Sequence, residues 1–349
     1  MTCYDKNWFK LILISILLTY VTIQPSHGSA QEEKGGWLKE RIRARLKKRL
    51  DEKPAPQFST DIRSTIEKSG NYTFSIQFGG LTRYYIVHVP SRYSAKTPSP
   101  LIFALHGGGG DMTIQASDEY YNQISKSEKE GFVIVFPNGF SNFKSGQLAT
   151  WNAGKCCGDA RDKKIDDVGF IKEILKNLTH QLNIDSQKVF ATGMSNGGLM
   201  SYRLACELSS TFKAIASVAG TDNTVNCKPS TPISILHIHT KDDDHVLFNG
   251  GAGQTFRDMS KVTEFTSVPS TIAKWVALNG CSPTPKRILE KPQVYCDQYL
   301  KCRNNVVIQL CVTESGGHSW PGGKKPRGGG APSTAISAND VMWDFFKNR

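Results

Sequence analysis

Three groups of residues in this sequence can do nucleophilic chemistry together: a serine set between glycines, a run of aspartates, and a histidine in a glycine-rich loop. The serine lies in Gly193-Met194-Ser195-Asn196-Gly197, a G-x-S-x-G sequence. Before it, Lys188-Val-Phe-Ala-Thr192 has the β-branched and aromatic residues of a buried strand; after it, the apolar residues from Leu199 to Leu204 predict a helix. A sharp strand-to-helix turn pushes a side chain out of the sheet and crowds the positions two residues to either side, where only a residue without Cβ fits. The helix start aims free N–H groups and the positive end of its dipole at the same place, so backbone donors such as that of Asn196 can hold an oxyanion. Ser195 is the expected nucleophile.

The aspartates, Asp242-Asp-Asp244, follow a predicted strand at Ile233 to Thr240, and His318 follows another at Val306 to Thr313. Serine, aspartate and histidine thus occur in the chain order of α/β-hydrolases, each behind a strand, and strand ends on one edge of a sheet converge. The imidazole would take the serine proton and return it to the leaving group, while a carboxylate fixes its tautomer and stabilises its cation. Other histidines read differently. His245 lies too close in sequence to the aspartates to approach Ser195 from the opposite side, His106 is expected to bond within its own loop, and His88 and His180 read as surface or satisfied core residues. His237 and His239, two apart on a strand, share a face; buried imidazoles bonded to backbone explain them more cheaply than a metal site does. No metal or cofactor is expected.

His106-Gly-Gly-Gly-Gly110 follows the apolar run Leu101 to Leu105 and is stripped of side chains, so backbone can approach a ligand closely. Gly108 is the expected second oxyanion donor. Trp151 and Trp320 flank motifs expected near the same face and are candidates for holding a sugar or aromatic ring, with core packing as the alternative. Asp166-Asp167 stand where a helix N-cap belongs, which explains the pair better than acid–base work does.

The elements that must position these residues alternate. A hairpin around Gly79-Gly80 joins strands at 72–78 and 83–89; buried strands are predicted at 101–105, 132–136, 212–218 and 233–240, with later strands at 294–300 and 306–313. Helices are predicted at 118–130, 168–182, 270–278 and 337–346. This pattern gives an α/β fold with a mostly parallel central sheet flanked by helices.

Ahead of this lies a short apolar run, Leu11 to Ile23, behind Lys6 and Lys10 and followed by Gly28-Ser29-Ala30, which predicts a signal peptide over 1–30 and a secreted or periplasmic protein. Residues 31–59 form a basic linker in which Leu38, Ile42, Leu46 and Leu50 recur every fourth position, an amphipathic helix suited at most to weak contact with an anionic surface through 37–50, or simply a solvated tether. The catalytic domain is expected over 60–349. The net charge of +12 comes with no nucleic-acid-binding signature. Of nine cysteines, eight lie beyond the signal region, an even number that predicts disulfides in an exported protein. Cys296 and Cys311 lie symmetrically about Arg303-Asn304, so a hairpin turning there would set them opposite one another and leave Cys281 to pair with Cys302. Cys156, Cys157, Cys206 and Cys227 form two further bridges of open connectivity.

From about residue 70 onward the chain resembles the secreted α/β-hydrolase family of polyhydroxybutyrate depolymerases and feruloyl or acetylxylan esterases. The likeness rests on Leu105-His-Gly-Gly, Trp151-Asn-Ala-Gly-Lys-Cys-Cys-Gly158, Asp166-Asp-Val-Gly-Phe170, Ala191-Thr-Gly-Met-Ser-Asn-Gly-Gly198, Leu204-Ala-Cys-Glu207, Gly316-Gly-His-Ser-Trp-Pro-Gly-Gly323 and Trp343-Asp-Phe-Phe346. The family's His-Gly-Thr-x-Asp pattern, laid on His239-Thr-Lys-Asp-Asp243, implies Asp243 as the acid; Thr240 and Lys241 depart from it, so Asp242 stays an alternative. The resemblance implies a serine carboxylesterase acting on a polymeric or small ester. A peptidase on the same fold and a non-catalytic surface-binding relative are the competing functions.

Overall fold

In a computed structural model, residues 66–349 are described apart from 257 and 327–329, together with parts of 40–52. The signal peptide expected over 1–30 lies outside the described residues. Those described between 40 and 51 are helical and exposed. No helix among the described residues is long and apolar enough to cross a membrane.

Ten strands form one sheet. They are β1 (Gly70–Phe78), β2 (Leu81–Val89), β3 (Ser99–Leu105), β4 (Val133–Pro137), β5 (Ile184–Met194), β6 (Ala214–Val218), β7 (Ser234–Thr240), β8 (Lys286–Lys291), β9 (Val294–Tyr299) and β10 (Ile308–Thr313). Their spatial order is β1-β2-β4-β3-β5-β6-β7-β10-β9-β8. The central run from β4 to β10 pairs in parallel, with antiparallel strands at both ends. The parallel strands are the continuous apolar runs of the sequence, and every residue of β4, β6, β7 and β10 is buried, as a sheet covered on both faces requires.

The helices are α1 (Met112–Gln115), α2 (Gln123–Glu130), α3 (Gly158–Asp162), α4 (Asp167–Gln181), α5 (Asn196–Glu207), α6 (Val268–Asn279) and α7 (Ala338–Phe346). Two apolar clusters sit on the sheet. One packs residues of α4, α5 and α6 such as Ile174, Tyr202 and Trp275; the other packs Met342, Phe345 and Phe346 of α7. The helix predicted from residue 118 begins only at Gln123, because Asp118 turns back to accept the N–H groups of Ile124 and Ser125. Strand β8 was not foreseen: Lys-Arg-Ile-Leu-Glu-Lys has charges at both ends and an almost wholly exposed pattern, the composition that keeps an edge strand from pairing onward.

Four disulfides tie the described residues: Cys156–Cys157, Cys206–Cys227, Cys281–Cys302 and Cys296–Cys311. Cys296 and Cys311 face each other in the β9–β10 register, with the turn at Arg303–Asn305 between them.

Candidate active site

Strand β5 ends at Met194 and helix α5 starts at Asn196, so Ser195 alone makes the turn, at φ 56° and ψ −124°. A non-glycine residue held there is strained, and such strain persists only where the surroundings over-determine it. The surroundings are visible atom by atom. A Cβ on Gly193 would lie 2.5 Å from the Gly197 carbonyl, and one on Gly197 would lie 2.1 Å from Leu105 O. The strand and the helix start are thus pressed together with no room for a side chain, and Ser195 is pushed outward, partly exposed between buried neighbours. Its N–H is tied to Val218 O at 2.8 Å.

The loop after β3 lies beside the elbow. His106 holds it: Nδ1 donates to Gly107 O at 2.9 Å, while Nε2 accepts the Gly139 N–H at 2.9 Å, so the ring is neutral with its proton on Nδ1. The N–H groups of Gly109 and Gly110 are spent on Ala149 O and Gly107 O. Those of Gly108 and Asn196 have no acceptor among the described residues, and a Cβ on Gly108 would touch Asn196 Cβ at 3.5 Å. The two expected oxyanion donors therefore belong to neighbouring residues with their N–H groups unspent.

Trp151 does not stand in the cavity wall where a substrate-binding role would put it. Its indole is fully buried and donates to His106 O at 2.9 Å. Its backbone N–H donates to Asn196 Oδ1 at 2.7 Å, and Asn196 Nδ2 donates back to its carbonyl at 3.0 Å. Trp151 is a clamp on the elbow, and its apolar ring is better buried against the sheet than exposed. Trp320 does line the cavity, edge-on to Tyr121 at 5.6 Å.

Strand β7 delivers Asp243 and β10 leads to His318. His318 Nδ1 lies 2.9 Å from Asp243 Oδ2 and 3.1 Å from Oδ1. The carboxylate is buried, and Oδ1 also accepts the N–H groups of His245 and Val246, each at 2.9 Å. Burial pushes the Asp243 carboxyl upward, but the charge of a protonated His318 and hydrogen bonds from His239 and His318 outweigh it and hold the group well below the usual carboxylate range. Asp242, on the same loop after β7, reaches across to the loop after β10 instead, accepting the N–H groups of Gly317 at 2.8 Å and Gly316 at 3.2 Å, so it clamps the segment that carries His318. Asp244 faces outward and pairs with His245 Nδ1 at 2.7 Å.

Behind Asp243 runs a buried chain of polar groups. Tyr202 Oη bonds His237 Nδ1 at 2.8 Å, His237 Nε2 bonds His239 Nδ1 at 3.1 Å, and His239 Nε2 reaches Val246 O at 2.8 Å and Asp243 Oδ2 at 3.3 Å. Desolvation, followed by the neighbouring His239, drives the His237 pKa far below its ordinary value, so it is neutral. The His237–His239 pair is therefore bonded to side chains as well as to backbone.

Ser195, His318, Gly108 and Asn196 line one cavity of about 660 Å³. No hydrogen bond joins Ser195 Oγ to His318 among the described residues. Its walls include Ile114, Tyr121, Met194, Phe256 and Phe265, an apolar surface studded with aromatic rings. His245 also stands there, stacked on His318, a place the short sequence separation from Asp243 had argued against. The tight turn after β7 brings the two histidines together from the ends of neighbouring parallel strands, β7 and β10, instead of separating them. Asp243, His245 and His318 bring metal-ligand atoms within 4.8 Å of one another. The rings lie nearly parallel, so their in-plane lone pairs do not converge, and Nδ1 of each is already committed to a carboxylate, which suits a cation poorly.

Asp167, expected only to cap α4, is fully buried and pairs with Arg83 Nη2 at 2.7 Å while accepting the Asn152 N–H at 2.8 Å; Asp166 caps the helix. Nothing in the local pattern reveals this pair, because Arg83 is 84 residues away.

A mostly parallel sheet with a serine elbow after β5, an acid after β7 and a histidine after the last parallel strand defines an α/β-hydrolase fold. Similarity to solved structures agrees: the acetyl xylan esterase from Aspergillus awamori aligns over 79% of this chain and 99% of its own, with TM-score 0.52 and 14% identity. An S-formylglutathione hydrolase from Agrobacterium tumefaciens aligns over 84% and 99%, with TM-score 0.50 and 13% identity. The family model described as putative esterase matches residues 80–275. A probable feruloyl esterase C of Aspergillus oryzae is 30% identical over 272 residues, covering 76% of this chain and 83% of that protein. Feruloyl esterase B of Piromyces equi is 29% identical over 274 residues, 76% of this chain, which spans only 45% of that longer protein. The chain belongs to this esterase family.

Proposed function

We propose that the protein is a secreted serine carboxylesterase of the feruloyl esterase and polyhydroxybutyrate depolymerase type. Ser195 forms the acyl-enzyme, His318 is its base and then the acid for the leaving alcohol, and Asp243 holds His318 in the tautomer with Nε2 free. Asn196 and Gly108 N–H groups receive the oxyanion. The observation that carries this reading is the placement of Ser195, at a forced turn, on the same cavity as a histidine bonded to a buried, strongly acidic aspartate. An open link between serine and histidine is ordinary in a ligand-free site and closes in the substrate complex.

The acyl group is short or aromatic and is displayed on a polymer. A cavity of about 660 Å³ has room for a single ring, and Phe256, partly exposed on its wall, offers an aromatic surface for a feruloyl group, with the buried Tyr121 and Trp320 packed edge-to-face in the same wall. The eight paired cysteines of the described chain suit an oxidising compartment, which supports export. The experiment is a series of nitrophenyl esters from acetyl to dodecanoyl, run beside methyl ferulate, acetylated xylan and polyhydroxybutyrate granules. Activity should peak at acetyl to butyryl or on ferulate and fall steeply by octanoyl; a maximum at long chains overturns the substrate reading.

A further inference from the structure

A second histidine dyad stands against the first. His245 and His318 have ring centroids 4.6 Å apart with planes inclined by 18°, and the outer ring is itself fixed from two sides. Its Nδ1 is bonded to Asp244 Oδ1 at 2.7 Å, and Phe256 meets it edge-on at 5.2 Å. Its backbone N–H donates to Asp243 Oδ1, the carboxylate whose Oδ2 is the nearer partner of His318, so one turn of chain sets both the acid and the ring that covers the base.

We propose that His245 is a positioning residue for His318: its ring, held by Asp244, fixes the plane of the catalytic imidazole and offers a π-face to the imidazolium that forms when Ser195 is deprotonated. This rests on the reading of His318 as the base. A π-face at this distance attracts a cation more strongly than a neutral ring, so the contact strengthens as the reaction proceeds, which is the condition for raising kcat instead of lowering KM. Two independent observations favour a built contact over chance proximity. Asp244 is exposed, yet its carboxylate is turned onto His245, and His245 keeps company with Phe256 in a cavity whose other function is catalytic. The charged and titratable groups around the pair are Asp243 and His239 beneath His318, Asp244 beside His245, Asp242 on the Gly316 and Gly317 backbone, and His106, Asp258, Lys261, Lys324 and Lys325 on the cavity wall.

The test uses His245→Ala, which removes the ring and keeps the backbone N–H on Asp243, and His245→Phe, which keeps a ring without the bond to Asp244. Both are measured on nitrophenyl butyrate over a range of substrate concentrations, after a melting curve confirms folding. His245→Ala should lose on the order of tenfold in kcat with KM nearly constant. His245→Phe should recover most of the loss. Unchanged kcat in His245→Ala, a loss carried by KM instead of kcat, or a His245→Phe as impaired as the alanine variant, overturns the proposal. His318→Ala run alongside separates the two levels: if it stays active, the triad reading and this proposal both fail; if it is inactive while His245→Ala is normal, only this one does.

Discussion

Asp243→Asn is the change whose outcome the structure specifies most fully. Oδ1 accepts two backbone N–H groups, from His245 and Val246 at 2.9 Å each, so in the variant the amide oxygen must take that position; the NH2 would otherwise meet two donors. The amide nitrogen then falls where Oδ2 was, 2.9 Å from His318 Nδ1 and 3.3 Å from His239 Nε2. As a donor it forces His318 to accept at Nδ1 and to carry its proton on Nε2, the nitrogen that must take the serine proton. It also faces the His239 N–H, donor against donor, leaving His239 only its bond to Val246 O. The shape of the side chain is unchanged, so the fold should survive with a loss of about 1–3 kcal/mol from broken charge-assisted bonds. Turnover should fall by about 10⁴, the magnitude that the handicap of a wrong tautomer carries in serine hydrolases. Steady-state hydrolysis of nitrophenyl acetate, beside a melting curve, measures both. A loss below tenfold in a folded variant would refute the assignment of Asp243, and a larger loss in Asp242→Asn would transfer the role to the residue that clamps Gly316 and Gly317.

Gly197→Ala should abolish activity and destabilise by on the order of 3 kcal/mol, since its Cβ would lie 2.1 Å from Leu105 O and 2.7 Å from His106 O; differential scanning calorimetry and ester hydrolysis check it. His237 is held neutral inside the fold and is free to protonate when unfolded, so its contribution is complete above about pH 6.5 and is lost as pH falls, with a slope approaching ~1.4 kcal/mol per pH unit. Unfolding by urea between pH 7.5 and 5 should show that slope, and His237→Gln should flatten it while starting from a lower stability; parallel curves would contradict the burial argument.

The parts of the site legible in the sequence are those set by short-range chemistry. Gly193 and Gly197 announce the elbow because a local steric demand is written within five residues, and the parallel strands announce themselves as unbroken apolar runs. Cys296 and Cys311 were readable because a hairpin maps sequence symmetry onto space. What escaped was decided across the fold. For Trp151 the sequence leaves a ring for substrate and core packing both open, and the choice turns on partners 45 residues away: its indole is spent on His106 O and its backbone on Asn196. Asp167 looked like a cap until Arg83 arrived from the second strand to bury with it. His245 was set aside by counting residues, whereas the turn after β7 folds it back over Asp243 and against a loop 73 residues later. Strand β8 carries too few apolar residues to show a period at all.

The central claim is that Ser195 forms the covalent intermediate. Incubating the purified protein with a fluorophosphonate ester and mapping the adduct by peptide mass spectrometry tests it most directly. One phosphonyl group should appear per chain, on the peptide containing Ser195, in step with the loss of ester hydrolysis, and Ser195→Ala should take up none. An adduct on another residue, or full esterase activity in Ser195→Ala, would contradict the account.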